Sequence, residues 1–284
     1  MPSGVAPVSE IISQPSTLLA CCSAVYGNPL AELLVGESLH PGGLESTRQL
    51  LAWSRLEPGA RLLDAGCGLG AGARVAAREF GLRVDGVDAS QEVLTRAEAR
   101  DPGAGVTWLR ADLLALPHED AAFDGILSEC VLSTLHRGDA LAEMRRALRP
   151  GGLLLVSDVE VGGSSIPALA DLGILGAALC ITDAWRTDEL EARLGPAGFS
   201  LLRRWDRTAS ILTLVDRIEA RVKLAAAAAR DLGLDLATLA SLPGLRAAPV
   251  DHAAARRLGD EVRRAVHRGD LRYFAAVARA VDFA

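Results

Sequence analysis

Leu62-Leu63-Asp64-Ala65-Gly66-Cys67-Gly68-Leu69-Gly70-Ala71-Gly72 is the stretch that decides the fold. Arg61 to Ala65 reads as a short apolar strand with an acid near its end, and Ala73 to Phe80 continues as a helix closed by Gly81. Glycine has no Cβ, so the turn lets the backbone come close to a ligand. The helix that follows aims its free N–H groups at the same place, which suits a carboxylate or a phosphate. Alone, Gly66-x-Gly68-x-x-Ala71 also fits a dinucleotide site, so the glycines do not name the ligand.

Outward from this turn the pattern repeats. Arg83 to Val87 is a second strand ending at Asp88, and Ser90 is the N-cap expected for a helix over Gln91 to Arg100. Val106 to Arg110 and Phe123 to Ser128 are further strands, Asp139 to Leu148 is a helix, and Pro150-Gly151-Gly152 turns the chain into a strand over Leu153 to Ser157. Strands alternating with helices at this spacing imply βαβ units and a parallel sheet, with right-handed crossovers placing helices on both faces. Upstream, residues 1–15 carry little periodicity, Ser16 to Ala31 reads as a short helix, His40-Pro41-Gly42-Gly43 as a turn and Glu45 to Leu56 as a helix. Downstream come a helix over Thr187 to Leu194, a strand over Ser200 to Trp205 and a long Ala/Arg/Leu helix over Ile211 to Leu232.

Composition removes some classes of function. The net charge is −6 and the pI about 5.5, with no basic face of the kind nucleic-acid binding needs. No run approaches the ~18 apolar residues of a membrane span. Five cysteines, an odd number, with no secretion signal argue for thiols and a cytoplasmic setting. A small-molecule substrate is the remaining expectation, with neither nucleic acid nor membrane as partner.

Three acids narrow the ligand. Asp64, just before the glycines, suits a positively charged amino-acid end better than it suits pyrophosphate. Asp88 is placed to accept from two ribose hydroxyls, a feature shared with NAD sites. Asp112, in Ala111-Asp112-Leu113, can accept from an adenine amino group while Leu113 lines the base. Asp64-x-Gly66-x-Gly68-x-Gly70, Asp88, Asp112, Leu116-Pro117, Phe123-Asp124 and Leu148-Arg149-Pro150-Gly151-Gly152 follow in the order that resembles class I S-adenosylmethionine (SAM) methyltransferases, and most of all the ubiquinone-biosynthesis and arsenite branch. The resemblance covers about residues 45 to 200. It implies an α/β, Rossmann-like, seven-stranded, mostly parallel sheet with helices on both faces and SAM as cofactor. It also implies an antiparallel last strand, which favours a strand over a terminal helix at Leu271 to Arg279. The domains expected are a segment 1–44 covering the cofactor, a core over 45–207, a helical insertion over 208–268 serving as lid or homodimer surface, and the last strand over 269–284.

By the same resemblance Asp64, Gly66, Gly68, Gly70, Asp88, Ala89, Ala111, Asp112, Leu113 and Ser128 bind the cofactor, while Gly43 and Thr47 approach its carboxylate. Methyl transfer asks little acid or base chemistry of a protein, since orienting the acceptor and excluding water do most of the work. Glu129 and Cys130, after the fourth strand, and His136, able to deprotonate an acceptor, are the catalytic candidates. Asp158 and His40 lie near the same strand ends. Cys130 with Cys22 and Cys180 resembles the thiols of arsenite methyltransferases, soft ligands for a soft metalloid. Against that, residue 129 is Glu where that family has Asn, and no cysteine lies beyond Cys180. A non-catalytic SAM-binding protein and an NAD-dependent oxidoreductase are the competing readings.

Overall fold

The computed structural model describes residues 36, 38, 40–162, 184–187, 189–231 and 252–281. The helix expected over Ser16 to Ala31, together with Cys22 and Cys180, lies outside them. In chain order the elements are α1 (Gly43–Ser54), β1 (Arg61–Ala65), α2 (Ala71–Phe80), β2 (Arg83–Asp88), α3 (Gln91–Arg100), β3 (Val106–Arg110) and β4 (Phe123–Glu129). A 3₁₀ turn (Leu132–Thr134) leads to α4 (Arg137–Ala147), β5 (Leu148–Val161), β6 (Trp185–Arg186), α5 (Glu189–Leu194) and β7 (Phe199–Asp206). The chain then runs through α6 (Ala209–Asp231), α7 (His252–Arg268) and β8 (Leu271–Ala280).

The strands lie in the order β3-β2-β1-β4-β5-β8-β7, with the two-residue β6 paired to β5. The first five are parallel, and β8 runs antiparallel between β5 and β7. This is the expected mostly parallel sheet. Strand side chains alternate between faces. Leu63, Ala65 and Ile126 therefore join α4, Trp185 and Phe274 on one side, while Leu62, Leu127 and Leu155 meet α1 and α2 on the other. Burial on both faces is why consecutive positions Leu62 and Leu63 of β1 are both apolar.

Local signals behave as their chemistry requires. Ser90 Oγ accepts from the Val93 amide at 3.3 Å, capping α3. Gly81 ends α2 at φ 66°, its N–H returning to Ala76 O. One expectation needs correction. The turn at Pro150-Gly151-Gly152 lies inside β5, which begins at Leu148 and pairs irregularly with β4 between Phe123 and Gly125. The Leu271 run is a strand, as expected, despite four buried alanines at 275, 276, 278 and 280. Alanine favours helix, but here two sheet edges offer continuous ladders, from Leu153–Arg279 to Val161–Leu271 on one side alone.

The helices α6 and α7 lie between β7 and β8 in the chain. Arg263 joins them, its guanidinium 2.8 Å from Glu219 and 2.6 Å from Asp216. Ile211 and Val262 of this pair pack with Val159, Leu271 and Tyr273 over the ends of β5 and β8. No helix among the described residues is long and apolar enough to cross a membrane.

Candidate functional site

A cavity opens beyond the carboxyl ends of β1, β2 and β4, where α/β sheets of this kind bind ligands. Asp64, Gly66, Gly68, Asp88, Ala89, Ala111, Asp112, Leu113, Glu129 and Cys130 line it, and Ser38 and His40 close it from the N-terminal side.

The three glycines of the turn do three different things. All have positive φ, which disfavours side chains. At Gly66 a Cβ would lie 2.5 Å from Val131 Cγ2, so this glycine admits the chain after β4. At Gly70 it would lie 2.1 Å from Trp108 Cη2, so this glycine lets the β3 indole pack beneath the turn. At Gly68 nothing lies within 4 Å. Gly68 borders the cavity and Gly70 does not.

Asp88 is fixed before any ligand arrives. Its Oδ2 accepts from the Gly68 amide at 3.0 Å and its Oδ1 from Ser90 at 2.9 Å. Burial raises its carboxyl above the usual range, and those backbone donors pull it partly back. Asp112 Oδ1 accepts from the Leu114 amide at 2.9 Å, holding the turn after β3. Asp64 is 6% exposed, at the floor. Burial first, and then the charge of Glu129, push it up to about 8, against the opposing Ala73 amide. A cavity with these acids is prepared for a ligand bearing positive charge.

Glu129 is held by side chains rather than by backbone amides. Its Oε2 accepts from Thr47 Oγ1 at 2.7 Å and lies 3.3 Å from His40 Nε2. Its Oε1 accepts from Ser157 Oγ at 3.2 Å. Tyr273 OH donates to that serine at 2.9 Å, and Cys130 Sγ donates to Tyr273 at 3.7 Å. Thr47 sits in α1, Ser157 in β5 and Tyr273 in β8, so three separate elements converge on one carboxylate. Cys130 itself has φ 56°, a left-handed conformation rare outside glycine.

The expectation for His136 is corrected. Its side chain is 73% exposed and pairs with Asp139 at 3.0 Å, away from the cavity wall. It precedes α4 as that helix's N-cap residue, which turns the ring outward. Ser128 is fully buried within β4 and also stands off the wall. Asp158 does not reach the cavity: its carboxylate takes the Ser133 amide and Trp185 Nε1, tying the chain around β6 to β5. Sequence reasoning missed Ser157 and Tyr273. The available signal was a tyrosine, one of two in the chain, in an alanine-rich strand, where a buried hydroxyl requires a partner.

Fold and cavity together define the Rossmann-like α/β architecture of class I methyltransferases. Residues 63–156 match the family described as a methyltransferase domain. Methyltransferase GfsG of Streptomyces halstedii is 35% identical over 133 residues, covering 45% of this chain and 48% of that protein. The chain spans about half the length of the curated relatives it matches. Among solved structures, the SAM complex of Haemonchus contortus phosphoethanolamine N-methyltransferase 2 aligns with TM-score 0.69 and 20% identity, over 99% of this chain and 62% of that one. Geranyl diphosphate C-methyltransferase of Streptomyces coelicolor A3(2), with Mg²⁺, a thiolodiphosphate analogue and S-adenosylhomocysteine, aligns with TM-score 0.65 and 16% identity, over 84% and 76%.

Proposed function

We propose that this chain is a SAM-dependent methyltransferase acting on a small-molecule acceptor. The observation that carries the reading is the cavity itself: acids at the ends of β1, β2 and β3 surround Gly68, the one glycine lining the cavity whose missing side chain leaves open space. SAM fits that donor set, because it presents a ribose diol, an adenine amino group and a net positive charge. When bound, SAM supplies an activated methyl group on a sulfonium.

The chain's own residues then bind and orient. Asp88, locked by Gly68 and Ser90, has acceptor capacity left for the ribose hydroxyls. Asp112 and Leu113 face the adenine, with Ala89 and Ala111 beside it. Asp64 answers the positive charge of the amino-acid end, where a cation lowers its carboxyl and releases its proton. The first turn of α2, reached across Gly70, offers unpaired N–H groups to a carboxylate. Ser38 and His40 cover the cavity and limit water there.

Within the class, the motif order favours the ubiquinone-biosynthesis branch. The arsenite side of that resemblance draws no support from Cys130, whose sulfur donates to the Tyr273 hydroxyl and packs with Val159 and Leu271.

The test is calorimetric titration of the purified chain with SAM, S-adenosylhomocysteine and NADH, with Asp88→Ala as control. Binding of the first two, lost in the variant, is the expected result. Binding of NADH alone overturns the proposal.

A further inference from the structure

We propose that the methyl acceptor is an amine and that Glu129 is the counter-charge that recognises it. The inference rests on the methyltransferase reading above and adds the acceptor's class. Its first support is the direction of the hydrogen bonds. The Ser157 hydroxyl proton goes to Glu129, the Tyr273 proton to Ser157, and the Cys130 proton to Tyr273. Thr47 donates to the other carboxylate oxygen. Donors arranged head to tail toward a carboxylate stabilise its charged form and reinforce one another. Thr47 and Ser157, the latter backed by Tyr273, thereby fix the position of the Glu129 carboxylate on the cavity wall.

The second support is the distribution of charge. The cavity's acids are Asp64, Asp88, Asp112 and Glu129, and its described wall contains neither lysine nor arginine. His40, its one basic group there, is already engaged with Glu129. Recognition of a phosphate or carboxylate acceptor relies on such cations. Ser38 adds a third observation: its hydroxyl oxygen lines the cavity, shielded from solvent and unpartnered among the described groups. A neutral hydroxyl there suits an uncharged or cationic guest.

An amine also suits the reaction. The bound ammonium first gives a proton to solvent, the freed nitrogen lone pair then forms the new N–C bond, the electron pair of the C–S bond stays on sulfur, and the positive charge passes from sulfur to nitrogen. A fixed carboxylate facing that nitrogen stabilises charge where it develops.

The test uses the full chain loaded with S-adenosylhomocysteine, after direct titration of that ligand. Benzylamine, benzyl alcohol and benzyl phosphate are then titrated by calorimetry. Benzylamine is expected to bind at least about tenfold more tightly than the alcohol, the scale of one hydrogen bond to a charged group, and the phosphate not measurably. Glu129→Gln should abolish the preference. Tyr273→Phe, which removes only the hydroxyl behind Ser157, should reduce it. Equal or stronger binding of the alcohol or phosphate, no binding of benzylamine, or a preference that survives Glu129→Gln overturns the inference. Failure of S-adenosylhomocysteine itself to bind overturns the methyltransferase reading, and the inference with it.

Discussion

Replacing Gly68 and Gly70 separately by alanine should split one motif into two functions. At Gly70 the added methyl meets the Trp108 ring at 2.1 Å, on a residue already at φ 73°. The left-handed conformation costs alanine about 1–2 kcal/mol, and forcing a methyl into a packed site costs about 1–3 kcal/mol more. At about 2–4 °C per kcal/mol for a chain of this size, Gly70→Ala should lower Tm by roughly 5–15 °C. Gly68→Ala pays only the conformational term, because a Cβ there meets nothing within 4 Å. Its Tm should fall by only about 2–8 °C. Its methyl, however, enters the space where a ligand approaches the backbone, so S-adenosylhomocysteine affinity should drop roughly tenfold to hundredfold, the range that overpacking spans. Differential scanning fluorimetry and calorimetry read the two effects independently. Equal Tm losses, or normal ligand affinity in Gly68→Ala, would refute the division of labour between the two glycines.

Four further outcomes follow from the same geometry. Asp88→Ala should cost roughly tenfold to hundredfold or more in S-adenosylhomocysteine affinity, since it removes hydrogen bonds to a charged acceptor, read by calorimetry. Asp64, raised by burial and Glu129 to about 8, keeps its proton in the folded chain where the unfolded chain has already lost it. Ligand-free stability should therefore fall as pH rises from about 4 to about 8, and Asp64→Asn should flatten that slope in urea titrations. His136→Ala should leave kcat/KM within about twofold, as exposed positions usually do, whereas loss of activity would return that histidine to the site. Arg263→Ala removes the partly buried fork between α6 and α7, so hydrogen exchange in α7 should quicken, at a cost of about 1 kcal/mol.

Most of the sheet was legible because its signals are local. The Leu62-Leu63 pair, the Ser90 cap and the Gly81 terminator each act within a few residues. What was illegible depends on partners distant in the chain. Leu148–Val161 reads as a broken strand, since Pro150 and Gly151 signal a turn, yet β4 pairs with Leu148 before the irregular segment and with Leu153 after it. Ala275 to Ala278 reads almost equally well as helix, and only the edges of β5 and β7 make it a strand. In the site, Asp64, Asp88 and Asp112 announce themselves by following strands. His136 carried the same signal and is exposed, because a position after a strand fixes neither which way a ring turns nor what covers it. Ser157 and Tyr273 lie 116 residues apart and meet only in the folded sheet.

The place of β8 sets an order of events during synthesis. It is made after β7 but lies between β7 and β5, so an emerging chain cannot close this sheet until residue 280 has left the ribosome. Until then β5 presents an unpaired edge, and Glu129 lacks the Tyr273 hydroxyl behind its serine. The part of the cavity built from β1 to β4 can form early, while the hydrogen-bond chain behind Glu129 waits for β8. The two sides of one cavity are thus completed at different moments in the life of the nascent chain.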